Sequence, residues 1–286
     1  MTAIVTPFRD GKIDDAALVK LVDGQIAAGI DGLVPCGTTG EAPTLEPEEH
    51  AHVVQLVVDT VAGRIPVIAG TGTNSTAHTI TLSRAAAQAG ADALLIVTPY
   101  YNRPTQDGLY RHYRAVADAV PLPIIVYNIP GRAACDMSVD TLERLAADEP
   151  RIVAVKEATG SVARAQEIVR RLGDAMTVLS GEDALNLAIY AIGGRGCISV
   201  TSNVVPELVA ATWDLAASGD FTRARATHLE TLALTEALFA ETSPVPVKAA
   251  LAMLGLVGEE IRAPLYPASP SVREKLHAAM TALGIL

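Results

Sequence analysis

Short apolar runs alternate with longer segments of helical apolar spacing along the whole chain, and this alternation constrains the fold more than any other feature. Runs rich in β-branched residues and bounded by turn residues predict buried strands. Eight such strands are predicted, at residues 3–7, 32–36, 66–70, 93–98, 124–128, 152–156, 177–180 and 197–201. Helices are predicted between them, for example at 48–61, 76–89, 108–120 and 139–147.

Eight βα units within 286 residues predict an α/β chain of the (β/α)8 TIM barrel class. A weak internal repeat supports this, because segments 28–34 and 89–95 are similar and each marks a helix that ends at Gly before a strand. The alternative, a doubly wound open sheet, expects a glycine-rich phosphate loop after the first strand, and segment 5–11 has none. We predict a barrel over 1–219, carrying the active site, and a C-terminal helical region over 220–286.

Composition excludes several classes of protein. The net charge of −10 leaves no basic stripe for nucleic acid, and no apolar stretch approaches the length of a membrane span. The first residues carry no basic segment typical of a signal peptide, so we expect a cytoplasmic protein. Scattered histidines and three distant cysteines indicate reduced, mostly buried thiols and neither a metal site nor a disulfide framework.

Polar residues follow six successive predicted strands, where barrel enzymes carry their reactive groups. They lie at 37–41, 98–104, 127–132, 180–183 and 199–203, together with Lys156. Because the carboxyl ends of parallel strands meet at one face of a barrel, we expect these residues to share one site.

Lys156 lies inside an apolar run and is the candidate nucleophile. A low-dielectric interior disfavours a charged amine, so a lysine buried there tends to release its proton. A neutral amine attacks the carbonyl carbon of a keto acid and forms a Schiff base. The alternative is that only the stem is buried while the ammonium reaches solvent at the strand end.

Other groups at the strand ends have both a structural and a functional interpretation. The Gly-Thr-Thr-Gly segment at 37–40 is either a tight turn or a nest whose N–H groups and hydroxyls bind a carboxylate. Tyr127 is either a packed aromatic residue or, beside a Schiff-base lysine, a group that moves protons. Arg132 is either a surface residue or a bidentate partner for a substrate carboxylate.

Together these segments resemble the dihydrodipicolinate synthase and N-acetylneuraminate lyase family of class I aldolases, over essentially the whole chain. The family's Gly-Thr/Ser-Thr-Gly-Glu signature corresponds to 37–41, its Tyr-Asn-Xaa-Pro-Xaa-Arg segment to 127–132, and its Lys-Glu-Ala-Thr-Gly segment to 156–160. The resemblance implies a (β/α)8 barrel with a helical C-terminal extension, assembled as a homotetramer. This chain begins several residues late relative to the family, and Ser243 replaces a frequent asparagine, differences expected to affect stability or assembly more than chemistry.

The resemblance also implies catalytic roles. Lys156 would form the imine with the keto carbon of pyruvate. Tyr127 and Thr39 would belong to a proton relay, which Tyr101 would complete from a neighbouring subunit. No cofactor is implied.

The resemblance implies the binding residues and the reaction as well. Thr38 and Thr39 would hold the pyruvate carboxylate, while the backbones of Gly181 and Ile198 would line the pocket. Arg132 and segment 98–104 favour the branch that condenses pyruvate with L-aspartate 4-semialdehyde to 4-hydroxy-tetrahydrodipicolinate, a lyase reaction of lysine and diaminopimelate biosynthesis. Sugar-acid lyases of the family generally lack an arginine at position 132.

Two alternatives stay open from the sequence. One is another pyruvate-dependent aldolase that acts on a sugar acid or a hydroxy-oxo acid, and the other is a barrel that binds a keto acid without turnover. Relatives inhibited by lysine have an allosteric site that corresponds here to His50, Asn74, His78 and Tyr100. Because His78 replaces a glutamate of that site, we expect inhibition by lysine to be weak or absent.

Overall fold

The computed structural model describes all residues from Met1 to Leu286, which divide into two compact units. The first unit comprises Met1–Pro66 and Ser199–Leu286, and the second comprises Val67–Ile198. The strands are β1 (Thr2–Ala3), β2 (Phe8–Arg9), β3 (Lys12–Ile13), β4 (Leu33–Val34), β5 (Ile68–Gly70), β6 (Ala93–Val97), β7 (Ile124–Asn128), β8 (Ile152–Glu157) and β9 (Thr177–Ser180).

Twelve α-helices and four short 3-10 helices complete the secondary structure. The α-helices are α1 (Asp15–Ala27), α2 (Pro47–Val61), α3 (Thr76–Gln88), α4 (Gln106–Ala119), α5 (Pro130–Ala133), α6 (Val139–Asp148), α7 (Val162–Leu172), α8 (Asn186–Ala191), α9 (Pro206–Ala217), α10 (Phe221–Leu238), α11 (Val245–Met253) and α12 (Pro270–Ala282). The 3-10 helices are Ala42–Thr44, Gly173–Ala175, Asp183–Leu185 and Thr201–Asn203.

In the first unit, β1 pairs with β4 in parallel, and β2 and β3 form an antiparallel hairpin. The hairpin turn consists of Asp10 and Gly11, both at positive φ, as a tight two-residue turn requires. Only helices follow Asp220, in agreement with the composition of that segment. The predicted division between 1–219 and 220–286 stays a prediction.

The second unit is a five-stranded parallel sheet in the order β5-β6-β7-β8-β9, with a helix after each of its strands. Every residue of β7 is buried, as expected for a parallel strand covered on both faces. Ser or Thr side chains accept a backbone hydrogen bond at the N-termini of α3, α4, α6 and α7. These caps satisfy N–H groups that a helix start leaves unpaired, which fixes where each crossover helix begins.

Most predicted strands are confirmed within one or two residues, and those at 124–128 and 177–180 agree with β7 and β9 at both ends. The prediction at 197–201 is wrong, because only single parallel bridges form at Cys197 and Ser199. Polar side chains take the backbone partners there: the Ser202 N–H donates to Ser199 Oγ at 2.9 Å. The chain then turns into the 3-10 helix Thr201–Asn203.

The predicted first strand is also shorter than expected, since β1 covers only Thr2–Ala3. The amide of Asn203 takes over the ladder beyond it, donating to the Ala3 carbonyl at 2.9 Å and accepting from the Val5 N–H at 3.3 Å. The three cysteines are buried free thiols, as predicted. None of the helices is both long and apolar enough to cross a membrane.

Candidate active site

Lys156 and Tyr127 are paired in register across β8 and β7, so their side chains lie on the same face of the sheet. The Lys156 Nζ lies 4.3 Å from the centroid of the Tyr127 ring, and Lys156 is only 5% exposed. The adjacent carboxylate, Glu157, forms its salt bridge with Arg164 at 3.1 Å. The structure therefore buries Lys156 beside a phenol, and Lys156 forms no salt bridge.

Asn128 and Glu157 are the next residues along these two strands, and they face the opposite side of the sheet. The Asn128 amide donates to Asp136 Oδ1 at 2.9 Å and accepts from the Met137 N–H at 3.1 Å. Glu157 accepts from Arg164 on α7 and is buried. These hydrogen bonds anchor the strand ends from behind, which fixes the backbone that carries Tyr127 and Lys156.

Of the two residues predicted to line the pocket, Gly181 lies at the end of β8 and Ile198 lies beside the end of β9. A Cβ on Gly181 would lie 3.0 Å from Lys156 Cγ and 2.7 Å from Ala158 Cβ, so only glycine fits beside the lysine stem. The Gly181 N–H donates to the Glu157 carbonyl at 2.8 Å. The Ile198 N–H donates to the carbonyl of Ser180, the residue before Gly181, at 2.9 Å.

Glu182 is a charged neighbour of Lys156 to which the sequence analysis gave no role. Burial and the Asp183 carboxylate raise the pKa of Glu182, while the positive charge of Lys156 lowers it. Glu182 lies in the polar segment 180–183, which follows a predicted strand, and this placement is the sequence signal that could have indicated it.

Arg132 lies in α5, a single helical turn, and its side chain is exposed. Pro130 and Gly131 are typical of a simple turn, but here Pro130 at the first helical position begins a helix that ends at Ala133, with the C-cap residue Ala134 at a φ of 52°. Arg132 therefore has a defined position, five residues after Tyr127 of β7.

Tyr101 is 87% exposed and has a φ of 72°. The neighbouring Asn102 fixes the local backbone, because its N–H donates to the Tyr100 carbonyl at 2.9 Å and its amide donates to the Asn74 carbonyl at 2.8 Å. An aromatic side chain held this far into solvent agrees with the prediction that it acts outside its own chain.

Thr38 and Thr39 lie in the first unit, in a loop of consecutive tight turns. The Gly40 N–H donates to the Gly37 carbonyl at 3.1 Å, and the Glu41 N–H donates to the Thr38 carbonyl at 3.1 Å. Thr39 is buried, whereas Thr38 is partly exposed.

The residues of the predicted lysine site are distributed over both units. His50 is buried within α2 of the first unit, while Asn74, His78 and Tyr100 belong to the second. His78 is exposed in the first turn of α3, where its N–H donates to the capping Ser75 Oγ. No cluster of three or more His, Cys, Asp or Glu residues suited to a metal ion is present.

Three comparisons place this chain among known proteins. It is 54% identical to the 4-hydroxy-tetrahydrodipicolinate synthase of Sorangium cellulosum over 284 residues, 99% of this chain and 94% of that protein. The crystal structure of dihydrodipicolinate synthase from Aquifex aeolicus superposes with a TM-score of 0.98 at 46% identity, covering 99% of this chain and 97% of that one. The chloride-inhibited enzyme from Acinetobacter baumannii, solved with pyruvate, gives 0.97 at 45% identity, covering 100% and 98%.

The structural matches establish the fold, and the predicted (β/α)8 barrel with a C-terminal helical extension is confirmed. Residues 1–283 match the dihydrodipicolinate synthetase family, and the chain belongs to that family. The family predicted from the sequence is confirmed.

Proposed function

We propose that this chain is a lyase that condenses pyruvate with L-aspartate 4-semialdehyde to 4-hydroxy-tetrahydrodipicolinate in lysine and diaminopimelate biosynthesis. Relatives that are about 50% identical over the full chain are named 4-hydroxy-tetrahydrodipicolinate synthase, the enzyme that catalyses this reaction. Their names support the predicted activity. The pyruvate complex of the Acinetobacter baumannii enzyme supports pyruvate as the first substrate.

The observation that carries the proposal is the buried Lys156 beside Tyr127. The ε-amine attacks the keto carbon of pyruvate, the carbonyl oxygen leaves as water, and an imine remains. Loss of a proton from the methyl group gives an enamine, whose carbon attacks the aldehyde carbon of the semialdehyde. The semialdehyde amine then attacks the former keto carbon, which closes the ring and releases the lysine.

Each step of this sequence moves a proton, and the Tyr127 ring centroid lies 4.3 Å from Lys156 Nζ. We assign Tyr127, Thr39 and Tyr101 to the relay, because a phenol or hydroxyl can donate a proton to the departing oxygen and accept one in return. Thr38 and Thr39 bind the pyruvate carboxylate through their hydroxyls and the N–H groups of the loop.

Arg132 is assigned to the second substrate. Its exposed guanidinium offers two parallel N–H groups, which match the carboxylate of aspartate semialdehyde. A polyhydroxy sugar acid offers no planar anion at the corresponding end of its chain, so this arginine favours the shorter, charged substrate.

A product assay tests the proposal. Pyruvate is offered with aspartate semialdehyde, with N-acetylmannosamine and with glyceraldehyde, and products are identified by mass spectrometry. We expect product only with the semialdehyde. Product with a sugar aldehyde alone would reassign the chain to the sugar-acid aldolases, and imine formation without any product would indicate a keto-acid-binding barrel.

We also propose a homotetramer in the cytoplasm. The 87% exposed Tyr101 supports assembly, because its side chain has most of its surface available to another subunit. Mixing inactive Tyr101→Phe and Lys156→Ala subunits should restore activity if Tyr101 acts across an interface. No recovery after confirmed subunit exchange would place its action within one chain.

Regulation by lysine is proposed to be weak. The exposed His78 provides no carboxylate for a lysine ammonium at this position of the proposed site. An inhibition assay should show little loss of rate at micromolar lysine, and strong inhibition there would contradict the assignment.

A further inference from the structure

A second lysine, Lys248, is buried in α11 and is 1% exposed. Its Nζ lies 2.5 Å from Oε1 of Glu41, which is itself buried. Burial lowers the pKa of Lys248, and the adjacent negative charge of Glu41 opposes this shift. This ion pair joins α11 to the residue that directly follows the Gly37–Gly40 turns.

Glu41 has an unusual backbone conformation. Its φ of 55° lies in the left-handed region, which is uncommon for residues other than glycine and persists where surrounding contacts enforce it. Both of its carboxylate oxygens have a partner, since Oε1 pairs with Lys248 and Oε2 accepts from the Arg262 N–H at 2.9 Å. The side chain of Glu41 thus holds its own backbone in place.

The loop that carries Thr38 and Thr39 is fixed mainly at its C-terminal end. The Thr6 hydroxyl donates to the Gly40 carbonyl at 2.7 Å, and a Cβ on Gly40 would lie 3.0 Å from the Cys36 nitrogen. Glu41 is joined to this loop directly, since its N–H donates to the Thr38 carbonyl at 3.1 Å, so its position bears on the backbone of the threonines.

Glu41 is the carboxylate in direct contact with Lys248, while the charge of Glu260 acts on Lys248 more weakly. The Phe8 ring centroid lies 4.3 Å from Lys248 Nζ and 4.3 Å from the Arg262 guanidinium. That guanidinium is engaged with Glu49, whose Oε1 accepts from Nη2 at 2.6 Å. Removing either member of the Lys248–Glu41 pair therefore leaves a buried group without its counterion.

We propose that the buried Lys248–Glu41 ion pair positions Thr38 and Thr39, so that α11 sets the geometry of the loop that binds the pyruvate carboxylate. This inference rests on the proposed function of the two threonines. Lys248 and Glu41 are positioning residues: they act through the loop and do not contact substrate.

Three variants test the proposal: Glu41→Gln, which keeps the shape but removes the charge, Lys248→Met, and the double variant. Each single change should lower kcat/KM for pyruvate by about 10- to 100-fold, the scale expected when a site is misplaced by about an ångström. The KM for aspartate semialdehyde should change less than about twofold. In the double variant the loss should not exceed that of the worse single variant, because the two residues act as a unit.

The same experiment includes controls for misfolding of the variants. Lys248→Met leaves the buried Glu41 carboxylate without its counterion and is the variant at risk of unfolding, whereas the double variant removes both charges and is expected to fold. Arg223→Met, which breaks the exposed Arg223–Asp220 pair at the start of α10 in the same unit, is the matched control and should keep the pyruvate kinetics. Thermal midpoints are measured for all variants.

Pyruvate kinetics within twofold of wild type in the folded Glu41→Gln and double variants, with only a lower thermal midpoint, would overturn the proposal. Borohydride trapping with pyruvate alone separates this failure from failure of the proposed function. If wild type makes no product from the semialdehyde but still traps pyruvate, slower trapping in Glu41→Gln supports the positioning role, and unchanged trapping contradicts it.

Discussion

The chain buries two lysines in two different environments, and this difference separates the proposed nucleophile, Lys156, from Lys248. Lys156, at the end of β8, lies over the Tyr127 ring, while the nearest carboxylate along the strand is bound by Arg164. Lys248, in α11, lies 2.5 Å from the Glu41 carboxylate. Burial is therefore common to both lysines, and the ion pair with Glu41 is what distinguishes Lys248 from the proposed nucleophile.

A neighbouring carboxylate changes the reactivity of an amine. An adjacent carboxylate stabilises the ammonium form of an amine, and an ammonium has no lone pair with which to attack a carbonyl. Burial lowers the pKa of Lys248, and the negative charge of Glu41 opposes this by favouring the ammonium form. Lys156 instead has beside it the phenol of Tyr127, the proposed proton carrier. We therefore expect substitutions near Lys156 to act on chemistry and substitutions near Lys248 to act on geometry.

The largest effect is expected from Lys156→Arg. A guanidinium stays protonated and cannot form a Schiff base, so kcat should fall by at least about 10⁴-fold, as for the loss of other enzymatic nucleophiles. Steady-state assays against Lys20→Arg, an exposed lysine on α1, provide the comparison. Substantial residual activity would move the nucleophile away from Lys156.

Tyr127→Phe comes next and tests whether the phenol beside Lys156 moves protons. We expect kcat to fall by about 10²- to 10⁴-fold, the usual contribution of general acid–base catalysis, with a smaller change in the pyruvate KM. The control is Tyr110→Phe on α4, which removes a phenol that donates a hydrogen bond to Asp148 at 2.8 Å. An unchanged kcat in Tyr127→Phe would remove this residue from the relay.

Arg132→Leu separates the second substrate from the imine chemistry. The KM for aspartate semialdehyde should rise by about 10²-fold, since a charge-assisted bidentate contact is lost, while pyruvate trapping at Lys156 stays nearly intact. Arg111→Leu, in a surface pair with Asp107, should change neither quantity. A semialdehyde KM equal to that of wild type would show that Arg132 only braces α5.

The smallest effect is expected at His112, a third buried base. It tests how burial acts on a base that is not in an ion pair. Burial lowers the pKa of His112 to about 4, and its Nδ1 lies 2.9 Å from the Thr76 hydroxyl. Since the unfolded chain binds a proton near pH 6.5, this group's contribution to stability is complete above that pH and is lost as pH falls toward 4.

Between pH 7 and pH 5.5 the loss from His112 amounts to about 1 kcal/mol. In His112→Gln the thermal midpoint should therefore depend less on pH over this interval than in wild type. Equal pH dependence in the two proteins would show that His112 binds its proton in the folded state as readily as in the unfolded chain.

The sequence predicted the parallel strands well where β-branched residues are buried on both faces, as at β7, because that pattern has few alternatives. The sequence also indicated Lys156 and Tyr127. That their side chains lie on the same face of the sheet depends on the two-residue alternation of side chains in β8 and β7. It failed at 197–201, where the side chains of Ser199 and Asn203 compete for backbone partners that a strand would need.

The Lys248–Glu41 pair could not be predicted, because its members are 207 residues apart and neither lies in a local pattern that implies the other. The short helix α5 was likewise missed, since Pro130 and Gly131 are as typical of a turn as of a helix start. A contact over long sequence separation decides the first feature, whereas local preference alone leaves the second undecided.

Borohydride reduction in the presence of pyruvate tests the difference between the two lysines most directly. The protein is treated with pyruvate and borohydride, digested, and mapped by mass spectrometry, with a sample lacking pyruvate as the control. We predict one reduced pyruvyl group per chain, on Lys156, and none on Lys248. A label on Lys248, or no label on any lysine, would contradict the account.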